Sequence, residues 1–195
     1  MISYETSPYD IRDDLAEVHG RVWDRIAKAG TWLDGATRVS IAAETRHARS
    51  CPLCARQKAA LSPFAVDGAH DSLADLPDTW IEIIHRMVAD PGRLTQSWSE
   101  KMRGGGIDDT EYVELVSIVA HTVAIDVFSR GLGLVQHPLP DPQPGEPSRY
   151  RPAEARQGEA WLPNIAWDEA GPNETDFCHG RESSIRRALT LVPDE

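Results

Sequence analysis

The chain is poor in cysteine: it has three in 195 residues, and two of them, Cys51 and Cys54, are three positions apart. A disulfide scaffold needs a much higher cysteine content, so disulfides are excluded as the basis of the fold. A chain of this length is expected to bury a hydrophobic core of its own. In a reducing compartment, a close cysteine pair indicates reversible redox chemistry or a metal site.

The chain is also short of positive charge, with 20 Lys and Arg against 31 Asp and Glu, which gives a net charge of −11. Nucleic-acid binding requires clustered Lys and Arg, so a nucleic-acid partner is not expected. No run of about 18 apolar residues is present that could span a membrane. The start of the chain, residues 1–6, lacks the basic and apolar parts of a signal peptide. These features predict a cytoplasmic protein with no membrane partner.

The spacing of apolar residues predicts an all-α fold, because it follows the helical period through most of the chain and signals no strand pair. Pro52 is expected to kink the second helix or to restart it at a new first turn. The last long helix is so apolar that we expect it in the core or at a subunit interface. The predicted helices cover about residues 9–28, 35–61, 71–89, 93–102 and 108–134.

Prolines become frequent after residue 135 and predict a stiff, extended C-terminal arm, because proline fixes φ and interrupts both helix and sheet. This arm is expected to wrap a neighbouring surface, and a short helix is expected near residues 184–191. The sequence therefore predicts a helical domain over residues 1–135 and a proline-rich arm with a short C-terminal helix over residues 136–195. The prolines are Pro138, Pro140, Pro142, Pro144, Pro147 and Pro152.

The cysteine pair and three neighbours form a set of five chemically active residues at helical intervals: Glu44, His47, Cys51, Cys54 and Lys58. Their spacing would place all five side chains on one face of a continuous helix. A peroxide-reducing thiol must be a thiolate, and the breaking O–O bond must receive a proton. Lys58 is expected to favour the thiolate, and Glu44 or His47 to supply the proton. The second cysteine would then close a disulfide, so no cofactor beyond this redox-active disulfide is expected.

Other histidines and a third cysteine leave alternatives open. His121 lies in the most apolar helix, and it is either a proton relay or a hydrogen-bonded core residue. A zinc site would need two further ligands from His47, His121 or the pair Cys178 and His179, and none of them has a zinc-finger spacing to the first two cysteines. A polar helix face without chemistry is the third alternative.

The residues around the cysteine pair are similar to a known family. The segment 38–44, which leads from Arg38 to Glu44, the motif Cys51-x-x-Cys54 and the segment 58–63 together resemble the alkylhydroperoxidase D-like/carboxymuconolactone decarboxylase superfamily, in particular its alkylhydroperoxidase-related branch. The resemblance extends to the glycines at 104–106 and to the segment 126–133. It covers roughly residues 20–150, and the C-x-x-C helix is its most specific part.

The resemblance implies an alkylhydroperoxidase D-like helical bundle, a symmetric homo-oligomer and an active site near a subunit interface. It also implies a thiol-dependent hydroperoxide reductase, with Cys54 as the peroxidatic thiol, Cys51 as its resolving partner, a small hydroperoxide as substrate and an external dithiol protein as reductant. The family's usual glutamate and histidine positions are Val39 and Lys58 here. A decarboxylase-like enzyme of the same superfamily and a non-catalytic, redox-sensing oligomer are the alternatives.

Overall fold

The structure is a computed structural model that describes residues 2–157, 161–166, 168–173 and 184–194. Within these residues the protein is mostly helical, which confirms the predicted helical class. The described part of the chain contains seven α-helices: α1 (Asp13–Ala27), α2 (Gly35–His47), α3 (Pro52–Ala59), α4 (Asp78–Ala89), α5 (Gln96–Gly104), α6 (Asp109–Gly131) and α7 (Ser184–Leu189). Two strands, β1 (Arg156–Gln157) and β2 (Pro163–Asn164), form one antiparallel pair.

The core lies where α2 and α4 pack against α6. Ile41 of α2, Ile84 of α4 and Ile118 of α6 are fully buried there. A capping box formed by Asp108 and Glu111 starts α6 by satisfying backbone amides at its N-terminus. The expectation that no stretch could span a membrane does not hold for α6, which is long and apolar enough to do so, but 61% of its most apolar window is buried inside the fold. Its predicted place in the core is confirmed.

A buried ion pair ties α6 to the start of α2. Arg38 and Glu114 form a salt bridge with both side chains at most 1% exposed. Glu114 also accepts hydrogen bonds from the backbone amides of Trp32 (2.6 Å) and Leu33 (3.3 Å). The carboxylate therefore fixes the turn that precedes α2 as well as the helix itself.

The predicted restart at Pro52 is confirmed. Helix α2 ends at His47, a single 3₁₀ turn covers Ala48–Ser50, and α3 begins at Pro52 with Cys51 as its N-cap. Proline is favoured at the first position of a helix because its missing N–H would have no intrahelical partner. The prediction of one continuous helix face over residues 44–58 is therefore wrong, since the helix axis changes at residues 48–51.

Helix α4 begins later than predicted, at Asp78 after Pro77. Residues 66–77 form an irregular connection over the cysteine pair. Leu73 and Ala74 donate their backbone N–H groups to the side chain of Glu44 at 2.9 and 2.8 Å. Because these amides donate to a carboxylate, they do not donate to helical carbonyl groups. The two hydrogen bonds fix the irregular connection to Glu44.

The first part of the proline-rich segment, residues 134–150, has neither helix nor strand, and it packs on its own chain. Gln143 donates its backbone N–H to the carbonyl of Ala27 at 2.7 Å, and Trp23 donates its indole N–H to the carbonyl of Pro138 at 2.8 Å. Gly35 lies in this contact, where a Cβ would be 2.7 Å from the carbonyl oxygen of Gln143, so only glycine fits. The neighbouring surface that the arm covers is therefore α1 and the turn after it.

The prediction of no paired strands is wrong at one place. β1 and β2 pair Arg156 with Asn164 and Gln157 with Pro163. Two-residue strands are too short to show the alternation of polar and apolar residues by which strands are predicted. Beyond them, Leu191 and Val192 pack against Val113 of α6, so the end of the described chain returns to the helical core.

Candidate functional site

The cysteine pair lies at the N-terminus of α3. Cys51 is the N-cap and Cys54 lies in the first turn, and their side chains are 2% and 4% exposed. The first backbone N–H groups of a helix lack intrahelical partners and favour negative charge. The break at Pro52 thus places Cys51 at the end of a helix that stabilises a thiolate.

One side of the pair is a chain of thiol, imidazole and carboxylate. The Sγ of Cys54 lies 3.3 Å from Nδ1 of His85, and Nε2 of His85 lies 2.7 Å from Oε1 of Glu44. His85 and Glu44 are both fully buried. Because Oε2 of Glu44 is held by the amides of Leu73 and Ala74, the carboxylate cannot turn away and it fixes the plane of the imidazole.

A second series of imidazole and carboxylate side chains contacts the thiols from the irregular connection between α3 and α4. Nδ1 of His70 lies 3.5 Å from Sγ of Cys54 and 3.6 Å from Sγ of Cys51. Its Nε2 lies 2.7 Å from Oε2 of Glu82, and Oε1 of Glu82 accepts the indole N–H of Trp98 at 3.3 Å. Two imidazoles, each oriented by its own carboxylate, therefore face the two thiols.

These contacts shift the pKa values of the thiols downward. Burial raises the pKa of Cys51, but hydrogen bonds from the backbone of Cys54 and from His70 outweigh it and lower the pKa to about 6. Burial also raises the pKa of Cys54, and the hydrogen bonds of His70 and His85 outweigh it, so the net shift is downward. A thiolate is the nucleophilic and metal-binding form of cysteine, so both chemistries are favoured.

The imidazoles shift in the opposite sense. Burial lowers the pKa of His70, but its bonds to Cys54, Glu82 and Cys51 raise it to about 10. For His85, burial again opposes protonation, while Cys54 and Glu44 favour it, and the net pKa is raised. The site therefore favours thiolate–imidazolium pairs, in which a proton is stored beside each sulfur.

The same four side chains could hold a metal ion. The donor atoms of Cys51, Cys54, His70 and His85 all lie within 4.8 Å of one another. Two thiolates and two imidazoles in a tetrahedron are a standard donor set for Zn²⁺. Both imidazoles present one nitrogen to the sulfurs and the other to a carboxylate, which is the usual support of metal-binding histidines.

The structure brings Cys51, Cys54 and Glu44 together but not the other three residues expected from the sequence. His47 lies 3.4 Å from Asp71 by its Nε2 and does not belong to the four-residue cluster. Lys58 is exposed on α3. His121 lines a separate cavity of about 500 Å³, where its Nδ1 lies 3.3 Å from Oγ of Ser117.

Three residues of the site were not expected from the sequence: His70, His85 and Glu82. His85 is a fully buried histidine on the apolar face of α4, and its place beside Ile81 and Ile84 was the one available signal. His70 lies in an irregular segment, so no periodicity points to it. The alternative zinc ligands Cys178 and His179 lie outside the described residues.

Comparison of the chain with protein-family models, with curated proteins and with solved structures finds no match. The geometry of the site is therefore the basis of the candidate function.

Proposed function

We propose that the protein is a thiol-dependent hydroperoxide reductase that uses Cys51 and Cys54 as its redox pair. The observation that carries this proposal is the buried chain from Cys54 through His85 to Glu44, with contacts of 3.3 and 2.7 Å. An imidazole held by a carboxylate on one side and facing a thiol on the other can accept the thiol proton and return it. The sequence alone suggested Glu44 as a proton-handling group, and His85 supplies a link between it and the sulfur.

In the proposed first step, the Cys54 thiolate attacks the distal oxygen of the hydroperoxide. The S–O bond forms as the O–O bond breaks, so Cys54 is oxidised to a sulfenic acid and the peroxide is reduced. The departing alkoxide takes the proton of the His85 imidazolium and leaves as an alcohol. Glu44 stabilises this imidazolium before the transfer.

In the second step, the Cys51 thiolate attacks the sulfur of the sulfenic acid. The S–S bond forms, the hydroxide leaves and takes a proton to become water. His70 lies 3.5 and 3.6 Å from the two sulfurs and is the nearest proton donor for this step. An external dithiol reductant then reduces the disulfide by two thiol–disulfide exchanges and is itself oxidised.

Rapid-mixing kinetics of the reduced, chelator-treated protein with tert-butyl hydroperoxide tests this proposal. We expect Cys54 to react about tenfold or more faster than free cysteine, because its pKa is lowered and a proton donor is in place. The Cys51→Ser variant should accumulate a sulfenic acid on Cys54 by mass spectrometry, and Cys54→Ser should not turn over. His47→Ala is the matched control. If neither cysteine outpaces free cysteine, the proposal is rejected.

The resemblance noted in the sequence adds a homo-oligomeric assembly to this proposal. Light scattering on the purified protein measures the oligomeric state directly. A monomer at working concentration would contradict this part of the proposal and leave the chemistry of the thiols unaffected.

A structural zinc site is the second candidate function, and the clustering of four donor atoms within 4.8 Å favours it. Cys51 and Cys54 are less than 5% exposed and His70 and His85 less than 10%, as in closed structural sites with four protein ligands. Such a site would join α3, the irregular connection and α4 around one ion. The metal would then contribute to folding, because its ligands come together only in the folded chain.

Metal analysis of the protein purified without chelator separates the two candidates. A zinc site predicts about one Zn²⁺ per chain, its loss in His85→Ala, its retention in His121→Ala, and tetrahedral ligand-field absorption after cobalt substitution. Absence of bound metal, together with failure of added Zn²⁺ to protect the thiols from alkylation, would reject zinc and leave the reductase proposal standing.

A further inference from the structure

Arg86 of α4 has a buried guanidinium that makes no hydrogen bond to any residue that the structure describes. Its side chain is 1% exposed, and Nε, Nη1 and Nη2 have no hydrogen-bond partner among the described residues. The carboxylate of Asp90 is 3.9 Å from Nη1, beyond hydrogen-bond distance, and Asp90 accepts a 2.6 Å bond from Arg93 instead. The ring of Phe64 lies over the guanidinium, with 5.2 Å from Cζ to the ring centroid.

Such a group is costly for the folded protein. Arginine keeps its charge at every physiological pH, so it cannot become neutral as a buried lysine can. A buried charge without a hydrogen-bonded counter-charge is strongly destabilising, and the stacked ring of Phe64 replaces only a part of the lost hydration. A buried and unsatisfied guanidinium therefore points to a partner that is not a residue of the described chain.

Arg86 lines a cavity of about 590 Å³, a volume typical of small-molecule sites. Lys101 adds a second positive charge to its wall, and Thr95 and Ser97 at the start of α5 add hydroxyl groups. Phe64, Trp98 and Met102 make the rest of the wall partly apolar. The polar lining consists of Gln57, Asp67, Glu82, Arg86, Thr95, Ser97 and Lys101.

The acidic residues of the wall give the guanidinium of Arg86 no hydrogen bond within the described part of the chain, although Arg86 is near enough to Glu82 to help lower the pKa of its carboxyl group. Glu82 gives one carboxylate oxygen to His70 and the other to Trp98. Asp67 is exposed at the edge of the cavity. Among the described residues of the wall, the unsatisfied hydrogen-bonding capacity is thus mainly on the donor side, since Arg86 offers five N–H groups in a fixed fork and Oε1 of Gln57 is an acceptor without a partner.

We propose that this cavity binds a small organic carboxylate, whose two oxygens pair with the fork of Arg86 while Lys101 lies beside the charge. A carboxylate matches the guanidinium in a bidentate geometry, and the apolar wall accommodates the organic body. The ring of Phe64 lies over the buried guanidinium and is half-exposed, so the proposal requires this ring to turn aside when the ligand binds. This inference does not depend on the chemistry of Cys51 and Cys54, because neither cysteine lines the cavity.

Calorimetric titration with sodium octanoate tests the inference, with Lys58→Met as the control for loss of a positive charge outside the cavity. We expect saturable binding at one site per chain, a loss of about tenfold to a hundredfold in affinity in Arg86→Met, and a smaller loss in Lys101→Met. Lys58→Met should bind as the unchanged protein does. Equal affinity in the unchanged protein and in Arg86→Met, or no measurable binding, would overturn the inference.

Two further arms keep the test decisive. Arg86→Lys retains the charge but not the fork, so its affinity should lie between those of the unchanged protein and Arg86→Met. If Arg86→Met does not fold, Arg86→Lys and Lys101→Met still allow the comparison. The inference would be overturned if both of these variants bound octanoate as tightly as the unchanged protein does. Inorganic phosphate that binds more tightly than octanoate with the same dependence on Arg86 would overturn the assignment to a carboxylate.

Discussion

Glu44 and Glu114 occupy nearly the same kind of environment in two regions of the molecule. Both carboxylates are completely buried. Glu114 accepts hydrogen bonds from the consecutive amides of Trp32 and Leu33, and Glu44 accepts them from the consecutive amides of Leu73 and Ala74. In each region, a carboxylate on a core helix thus holds an irregular segment of backbone and one basic side chain.

The two regions differ in that basic side chain. Arg38 is permanently charged, so its pairing with Glu114 is a fixed ionic contact. His85 can gain and lose a proton, and the ring nitrogen opposite Glu44 faces the sulfur of Cys54. The same backbone arrangement therefore makes a structural contact in one region and a link to a reactive thiol in the other.

The largest effect that we predict is on stability, at Glu114. Glu114→Gln removes the negative charge and leaves the Arg38 guanidinium buried without its counter-charge, which should lower the free energy of unfolding by about 3–5 kcal/mol. Urea denaturation followed by circular dichroism measures it. The control is Glu17→Gln, which removes an exposed pair with Arg21 and should cost no more than about 0.5 kcal/mol. If Glu114→Gln lowers the free energy of unfolding by less than about 1 kcal/mol, the pairing of Glu114 with Arg38 is not a stronger structural contact than the pairing of Glu44 with His85.

Glu44→Gln should have a smaller effect on stability and a larger one on chemistry. The imidazole can stay neutral when the carboxylate is lost, so we expect a cost of about 1–3 kcal/mol. Loss of the group that orients His85 should reduce the peroxide reactivity of Cys54, or the zinc affinity of the site, by about 10–100-fold. The free energy of unfolding is measured by urea denaturation, and the peroxide reactivity or the zinc affinity is measured on the same preparation. Reactivity and metal affinity within twofold of the unchanged protein would show that Glu44 is a structural residue like Glu114.

The sequence predicts part of this comparison and misses the rest for a physical reason. Cys51, Cys54 and Glu44 lie close together in the chain, and this proximity groups them even though the helix between them is interrupted. His85 and His70 are brought to the thiols by the packing of α4 and by an irregular segment, and neither arrangement leaves a local pattern. Long-range contacts of this kind are what a single sequence does not show.

The helical class was easier to predict than the site. Helical periodicity and the high apolar content of α6 depend on local sequence, and both agree with the structure. The break at Pro52 was expected as well, and it interrupts the helical offsets between residues 44–47 and the cysteine pair. Lys58 keeps its four-residue offset from Cys54 within α3, yet its side chain is exposed while Cys54 is buried.

The pH dependence of thiol reactivity should separate Cys51 from an ordinary cysteine. The thiolate fraction rises as pH increases through the pKa, so alkylation of Cys51 by iodoacetamide should be half-maximal near pH 6, where its pKa lies at about 6. A free cysteine has its midpoint at about 8.5. The measurement is peptide-level mass spectrometry of the chelator-treated protein over a pH series.

His70→Phe should move this midpoint upward, because it removes one of the hydrogen bonds that lower the pKa of Cys51. His121→Phe is the matched control, since His121 lines another cavity, and it should leave the midpoint unchanged. A midpoint at or above pH 8 in the unchanged protein would mean that the helix end and His70 do not stabilise the thiolate.

The smallest effect is expected at Lys58, which is exposed and belongs to neither of the two buried regions. Its side chain is exposed, and its contact with Arg93 runs through the backbone carbonyl, which accepts from Nη2 at 2.9 Å. Lys58→Met should therefore change the free energy of unfolding by less than about 0.5 kcal/mol. It should also leave the alkylation midpoint of Cys51 in place, because a cation in solvent stabilises a thiolate far less than an imidazole in contact with it. If the alkylation midpoint of Cys51 rises in Lys58→Met by as much as in His70→Phe, the amine stabilises the thiolate despite its exposure. The stabilisation would then come from a surface charge as well as from the buried histidines.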